Sequence, residues 1–338
     1  MTSLSSTSKD AAARRAAALD PGTAGPIDLD DVRAAARRIR GRVRRTPLLA
    51  AAPMRTALGG GCELVMKLEC LQVTGSFKAR GAISKLASLT PAEVARGLAT
   101  ASGGNHGAAV AYAGWVAGHP ATVFVPDNVS PLKAQKIQGW GARLEVAGAV
   151  WDESNRVALA RVAQDGLTYV HPFADPAVIA GQGTVALEIL EQDPAIDTLL
   201  VAIGGGGLIA GMAIAAKALK PAIRIIGVEP EGAPTLHASV AAGHVVELPE
   251  ITTTVPTMAA RKTEPVNLAI VQRHVENILL VTDDEMRDAA RLLWLEHGLA
   301  VDLSGAASLA LLTSGKFHAR PGERVCALIC GAGSDGLE

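Results

Sequence analysis

Lys67-Leu-Glu-Cys-Leu-Gln-Val-Thr-Gly-Ser-Phe-Lys-Ala-Arg-Gly-Ala82 carries a short apolar run into a helical pattern across a Thr-Gly-Ser turn. Lys78 opens that helix, so its amine projects from a helix end that carries partial positive charge. An amine that forms a Schiff base must give up its proton near neutral pH. Apolar surroundings and a cationic helix terminus both favour that loss. Taken by itself, the same pattern also describes a surface lysine at a helix start.

Upstream, 28–45 opens with capping acids and carries Val32, Ala36, Ile39 and Val43 on one face, the spacing of an amphipathic helix that Thr46-Pro47 ends. Its arginines read as a solvated face. Downstream, apolar runs alternate with helical patterns. The strand-like runs are 63–68, 97–101, 121–125, 143–146, 199–203, 224–228, 278–281 and 325–330, and the helical ones include 107–117, 176–192, 209–219 and 283–297. Such alternation predicts an α/β fold with parallel-rich sheets covered by helices. Two glycine-rich segments, at 102–107 and 203–208, stand at strand-to-helix turns, where open α/β sheets bind ligands.

In Ile203-Gly204-Gly205-Gly206-Gly207-Leu208 the four glycines let backbone N–H groups cup an anion at a helix N-terminus. Gly205-x-Gly207-x-x-Ala210, with Glu229 a strand later, also satisfies a loose dinucleotide fingerprint. This segment alone leaves a nucleotide-binding oxidoreductase open.

Composition narrows the field. The 338 residues suffice for about two domains, and they are 49% apolar and 19% charged with a net charge of −1. Charge so balanced offers no long-range attraction for nucleic acid or an anionic membrane. With aromatics at 3%, stacking platforms for single strands are not expected either. No apolar stretch approaches a membrane span. Residues 1–27 read as a disordered tail without a secretory core; a transit peptide is the lesser reading. Cys62, Cys70, Cys326 and Cys330 form no CxxC pair and stand near no histidine at zinc spacing, so free thiols in a reducing cytoplasm are expected.

Thr74-Gly-Ser-Phe-Lys-Ala-Arg-Gly-Ala82 resembles the cofactor-lysine motif of the serine/threonine dehydratases and their relatives, the serine racemases. Ser102-Gly-Gly-Asn-His-Gly107 resembles their asparagine loop. His171-Pro172, Asp175-Pro-Ala-Val-Ile-Ala-Gly-Gln-Gly-Thr184, the tetraglycine turn and Cys330-Gly-Ala-Gly are similar as well, in the family's order over about residues 28–338.

The resemblance implies a fold-type II pyridoxal-phosphate enzyme, tryptophan synthase β-like, with two domains. Residues 28–61 and 169–338 would form the large cofactor-binding domain, and 62–168 the small domain with the asparagine loop. It implies pyridoxal 5'-phosphate held on Lys78, which also takes the substrate's Cα proton. Phe77 would pack near the ring and Asn105 would bond its phenolic oxygen. Gly204, Gly205, Gly206, Gly207 and the Leu208 amide would hold the phosphate. Cys330 would face the ring nitrogen as a neutral partner, a weaker electron sink than an aspartate gives and one suited to β-elimination. Ser102, Gly103, Asn105 and His106 would grip the substrate carboxylate; for His106 a locally bonded helix-start histidine is an equal reading. The implied reaction turns a small β-hydroxy amino acid such as L-threonine or L-serine into a 2-oxo acid and ammonia, in a cytoplasmic homodimer.

Several positions depart from the family. Gly103 stands where serine racemases carry a serine, so racemisation is expected to be weak. Near Glu229 and Ala233, Thr235 replaces the second acid of metal-binding relatives, and no metal is expected. Asp302-Leu303 replaces the usual Glu-Pro near the ring, and 252–264 lacks the usual Ala-Asp pattern, both on the substrate side. The chain runs only to Glu338, so control by an added C-terminal domain is not expected. A β-replacement enzyme similar to cysteine synthases is the runner-up, against which Lys78-Ala79-Arg80 and Asn105-His106 argue. A dehydratase of an unusual hydroxy amino acid is a further alternative.

Overall fold

The computed structural model describes residues 27–51, 54–55, 61–334 and 337. The expected tail at 1–27 lies outside the described residues, apart from Ile27.

A chain with these apolar runs must bury them on both faces, and two sheets do so. The larger has six strands in the order β1 (Leu48–Ala50), β2 (Glu63–Leu68), β10 (Arg324–Ile329), β7 (Thr198–Ala202), β8 (Arg224–Pro230) and β9 (Asn277–Val281). Only the β1–β2 pair is antiparallel. Every residue of β7 is buried, as expected of an interior parallel strand covered on both faces. The smaller sheet is wholly parallel, in the order β5 (Arg143–Val146), β4 (Thr122–Val125), β3 (Leu98–Ala101) and β6 (Thr168–Tyr169).

Helices open where side chains cap them. In α7 (Pro176–Gln192), Asp175 accepts from the amides of Ala177 and Val178 and proline takes the first turn. In α11 (Asp283–His297), Thr282 and Glu285 form a capping box. Asp28 and Asp31 do the same for α1 (Leu29–Ile39). That helix stops well before the expected end at 45, because Arg40 turns extended and Gly41 takes φ 77°. The remaining helices that bear on the site are α2 (Lys78–Leu86), α4 (Asn105–Ala117), α8 (Gly207–Leu219), α9 (Thr235–Ala242) and α12 (Leu303–Thr313). Helices α1, α2, α7 and α8 pack together, and α11 and α12 form a second group against the large sheet.

One expected boundary does not follow the sheets. Residues 63–68 fall at the start of the expected small domain at 62–168, yet β2 pairs in parallel with β10, with Cys326 opposite Val65. Strand alternation along the chain does not say which sheet a strand joins, and this pairing closes a very long loop. No helix of the described residues is long and apolar enough to cross a membrane.

Candidate active site

The turn before α2 is pinned to the end of β10. Phe77 N donates to Cys330 O (3.2 Å), Ala332 N donates to Gly75 O (2.8 Å), and Ser76 bridges Gly331. This ladder brings Lys78 and Cys330, distant in sequence, to one place. Within the turn Thr74 takes φ 66°, the sole non-glycine with positive φ among the described residues. A β-branched residue there is strained, and such strain gathers at functional sites. Helix α2 is held from beneath by a buried ionic cluster. Fully buried Arg80 donates to both oxygens of fully buried Glu69 (2.8 and 2.7 Å) and to Glu188 (2.7 Å), which also accepts from buried Lys67 (2.8 Å).

Lys78 Nζ donates to the Pro172 carbonyl at 2.7 Å and lies 5.2 Å from the Phe77 ring centre. Desolvation pulls its pKa down to about 8, with the Cys330 side chain opposing weakly. Roughly a fifth of such amines are therefore neutral near pH 7.4, the state a nucleophilic lysine needs. Cys330 is buried and its thiol pKa is pushed up, mainly by desolvation, so it stays a neutral donor; Sγ points to Ser304 O at 3.3 Å.

At the tetraglycine turn Gly206 takes φ 96° and caps α8. Thr263 Oγ1 and Asn267 Nδ2 both donate to Gly205 O at 3.0 Å, fixing the turn's orientation. The first amides of α8, as at any helix start, have no intrahelical partner and form a ready anion site. At the asparagine loop, Ser102 Oγ accepts from Gly104 N (3.3 Å), and Asn105 and His106 begin α4. His106 is buried with Nε2 on Val170 O (3.0 Å), and desolvation, aided by the Lys78 charge, lowers its pKa to about 3. It is a neutral imidazole, bonded to a carbonyl 64 residues away and not to its own helix start, and its Nδ1 has no hydrogen-bond partner among the described residues. Asn105 Nδ2 donates to Asp302 at 2.8 Å.

These residues converge from both sheets. Thr257 lies between the two glycine turns, near enough to crowd a Cβ at Gly204 and to touch one at Gly104. The expected residues Phe77, Lys78, Ser102, Gly103, Asn105, His106, Gly204 to Gly207, Leu208 and Cys330 thus lie on converging segments. Sequence reading missed Pro172 O, Phe173 and Ser304. A carbonyl has no residue signature, although His171-Pro172 marked the place.

The group fits. Three buried polar atoms around Lys78, Thr74 Oγ1, Ser76 Oγ and His106 Nδ1, have no hydrogen-bond partner among the described residues. Buried polar atoms without partners suit a polar ligand. The glycine turn supplies free amides for its phosphate. By contrast, Glu229 does not present itself to a metal: its oxygens accept from Leu236 N and His237 N, both 2.8 Å, at the start of α9. Thr235 Oγ1 is turned to Ala260 O, and no group of three or more His, Cys, Asp and Glu side chains that could hold a metal occurs among the described residues.

The model of the pyridoxal-phosphate dependent enzymes matches residues 39–331. The chain belongs to that family. It is 35% identical to an L-threonine ammonia-lyase of Thermotoga maritima over 309 residues, 91% of this chain and 76% of that protein. It is also 35% identical to a phenylserine dehydratase of Ralstonia pickettii, over 91% of this chain and 94% of that one. The structure of maize serine racemase superposes with a TM-score of 0.86 at 34% identity, covering 91% and 94% of the two chains. As a member of this family, the enzyme uses pyridoxal 5'-phosphate, and its two sheets are those of fold type II.

Proposed function

We propose that this chain is an ammonia-lyase that removes water and ammonia from a small β-hydroxy amino acid, leaving a 2-oxo acid. The observation that carries the reading is Lys78, buried with its pKa drawn down to about 8, held on the Pro172 carbonyl and pinned through its turn to the Cys330 segment. Dehydratases and ammonia-lyases among the relatives support it.

Bound there, the cofactor would supply the electron sink that acidifies the substrate's Cα–H. Lys78 would hold it covalently and, once displaced by substrate, would take the Cα proton as a neutral amine. The amides of Gly204 to Gly207 and Leu208 would hold the phosphate, and Phe77 would lie near the ring. Asn105 would serve the phenolic oxygen. The neutral Cys330 thiol would meet the ring nitrogen without forcing a proton onto it. Amides at the start of α4, with Ser102, Gly103, Asn105 and His106, would receive the substrate carboxylate. Gly103 offers no side chain to reprotonate Cα from the other face, which favours elimination over racemisation.

We read the chain as a larger unit on the six-stranded sheet and a smaller one that begins after β2, with the cleft between. A cytoplasmic homodimer accords with the family resemblance and with four free cysteines. The test is a panel of L-threonine, L-serine and bulkier β-hydroxy amino acids with the loaded enzyme, reading 2-oxo acid and ammonia. Turnover of at least one, abolished by Lys78→Ala, is expected. A loaded enzyme inert on the whole panel refutes the reading.

A further inference from the structure

Asp302 sits where three parts of the site meet. Its backbone precedes α12, and Oδ1 caps that helix by accepting from Gly305 N at 2.7 Å and from Ser304 Oγ at 2.7 Å. Oδ2 accepts from Asn105 Nδ2 at 2.8 Å, reaching across to the first residue of α4 and hence to the smaller sheet. The side chain is buried, and the end of β10 closes over it: a Cβ on Gly331 would lie 2.6 Å from Oδ2, and one on Gly333 2.8 Å from Asp302 Cβ. There is no slack in which a longer acid could sit unmoved.

We propose that Asp302 is a positioning residue that sets the orientation of the Asn105 carboxamide toward the cofactor's phenolic oxygen. A carboxamide has one accepting and one donating end, and the two ends are similar in shape. An ionised carboxylate only accepts, so it dictates that the NH2 end of Asn105 faces Asp302. One N–H is used there, and the second is left to donate elsewhere. A bond to a charged acceptor is roughly twice as strong as a neutral one, so this orientation is strongly preferred. Because Asp302 also caps α12 and is enclosed by Gly331 and Gly333, its own position is fixed by the larger sheet. The carboxamide is thus aimed by the opposite side of the cleft from the one that carries it.

This rests on the assignment of Asn105 to the cofactor, and the experiment separates the two. Serine is a good helix cap but too short to span to Asn105, so Asp302→Ser removes the aiming contact and keeps the cap. Asn105→Ala, Asp302→Ser and the double variant are loaded with pyridoxal phosphate. The readouts are the pH midpoint of the bound cofactor's visible absorption, the Kd for the cofactor and the melting temperature. Asn105→Ala should move the midpoint, Asp302→Ser should move it the same way, and in the double variant Asp302→Ser should add nothing. On the preferred substrate Asp302→Ser should lower kcat about tenfold with KM within about threefold, the pattern of a contact that matters in the transition state. If Asp302→Ser does not fold, Asp302→Asn, which keeps both cap and volume but loses the obligatory acceptor, carries the same expectation. An Asp302 variant that leaves the midpoint in place while Asn105→Ala shifts it overturns the proposal, as does additivity in the double variant. If Asn105→Ala itself has no effect, the assignment of Asn105 falls.

Discussion

An added Cβ at Gly204, Gly205, Gly206 or Gly207 would meet another atom at 2.2–2.8 Å, whereas one at Gly104 in the asparagine loop would find nothing nearer than Thr257 Cγ2 at 4.0 Å. Both turns lead from a parallel strand into a helix, the place where open α/β sheets bind ligands. In the larger sheet the glycines are demanded by the protein itself: Phe173 lies over Gly205 and its carbonyl presses on Gly207. There glycine richness reports packing as much as ligand approach. Around Gly104 the protein leaves room, so the missing side chain is space kept for something else, and the substrate is the candidate.

The largest effect should come from Gly207→Ala. Its methyl would sit 2.3 Å from a backbone carbonyl, which cannot swing away as a side chain can. Overpacking of this kind costs about 1–3 kcal/mol or more. A fall in melting temperature together with loss of cofactor binding is expected; unchanged loading would break the comparison.

Proton chemistry should instead follow Lys78 and be indifferent to either turn. With a pKa drawn down to about 8, the amine is an ammonium at lower pH and cannot attack an aldehyde. The rate of cofactor capture by apoenzyme should therefore climb about tenfold per pH unit below that point and level off above it. Stopped-flow absorbance reads this, and a rise continuing past pH 10 would show an ordinary lysine.

Gly103→Ser is the intermediate case. Its Cβ would lie 3.0 Å from Val129 Cγ2, a side chain able to yield a little. The variant should fold with a penalty under about 1 kcal/mol and gain measurable racemisation of serine by chiral chromatography. Gly104→Ala should be the gentlest to the fold, within about 0.5 kcal/mol, and should show itself in KM for substrate, not in Kd for the cofactor. A large drop in melting temperature would erase the distinction between the turns.

Much of this arrangement is legible in sequence, and the failures are instructive. All eight strand-like runs form strands: the interior parallel ones are continuous apolar stretches, whereas β5, at an edge, alternates charged and apolar residues. Leu48–Ala50 and Thr168–Tyr169 were not foreseen: three and two residues long, they carry no period and exist through their partners β2 and β3. The membership of β2 in the larger sheet depends on β10, which local pattern cannot reveal. In the site, Lys78, Asn105 and the glycine turn stand out because few residue types can do their work. Asp302 was visible as a shortened acid, but its bond to Asn105 spans 197 residues and needed coordinates.

Attachment of the cofactor to Lys78 can be read by reducing the loaded enzyme with borohydride, digesting it and locating the retained pyridoxyl group by mass spectrometry. One modified site is expected, Lys78, on the peptide that contains Thr74-Gly-Ser-Phe. A pyridoxyl group on any other lysine, or none retained by a protein that binds the cofactor, would contradict it.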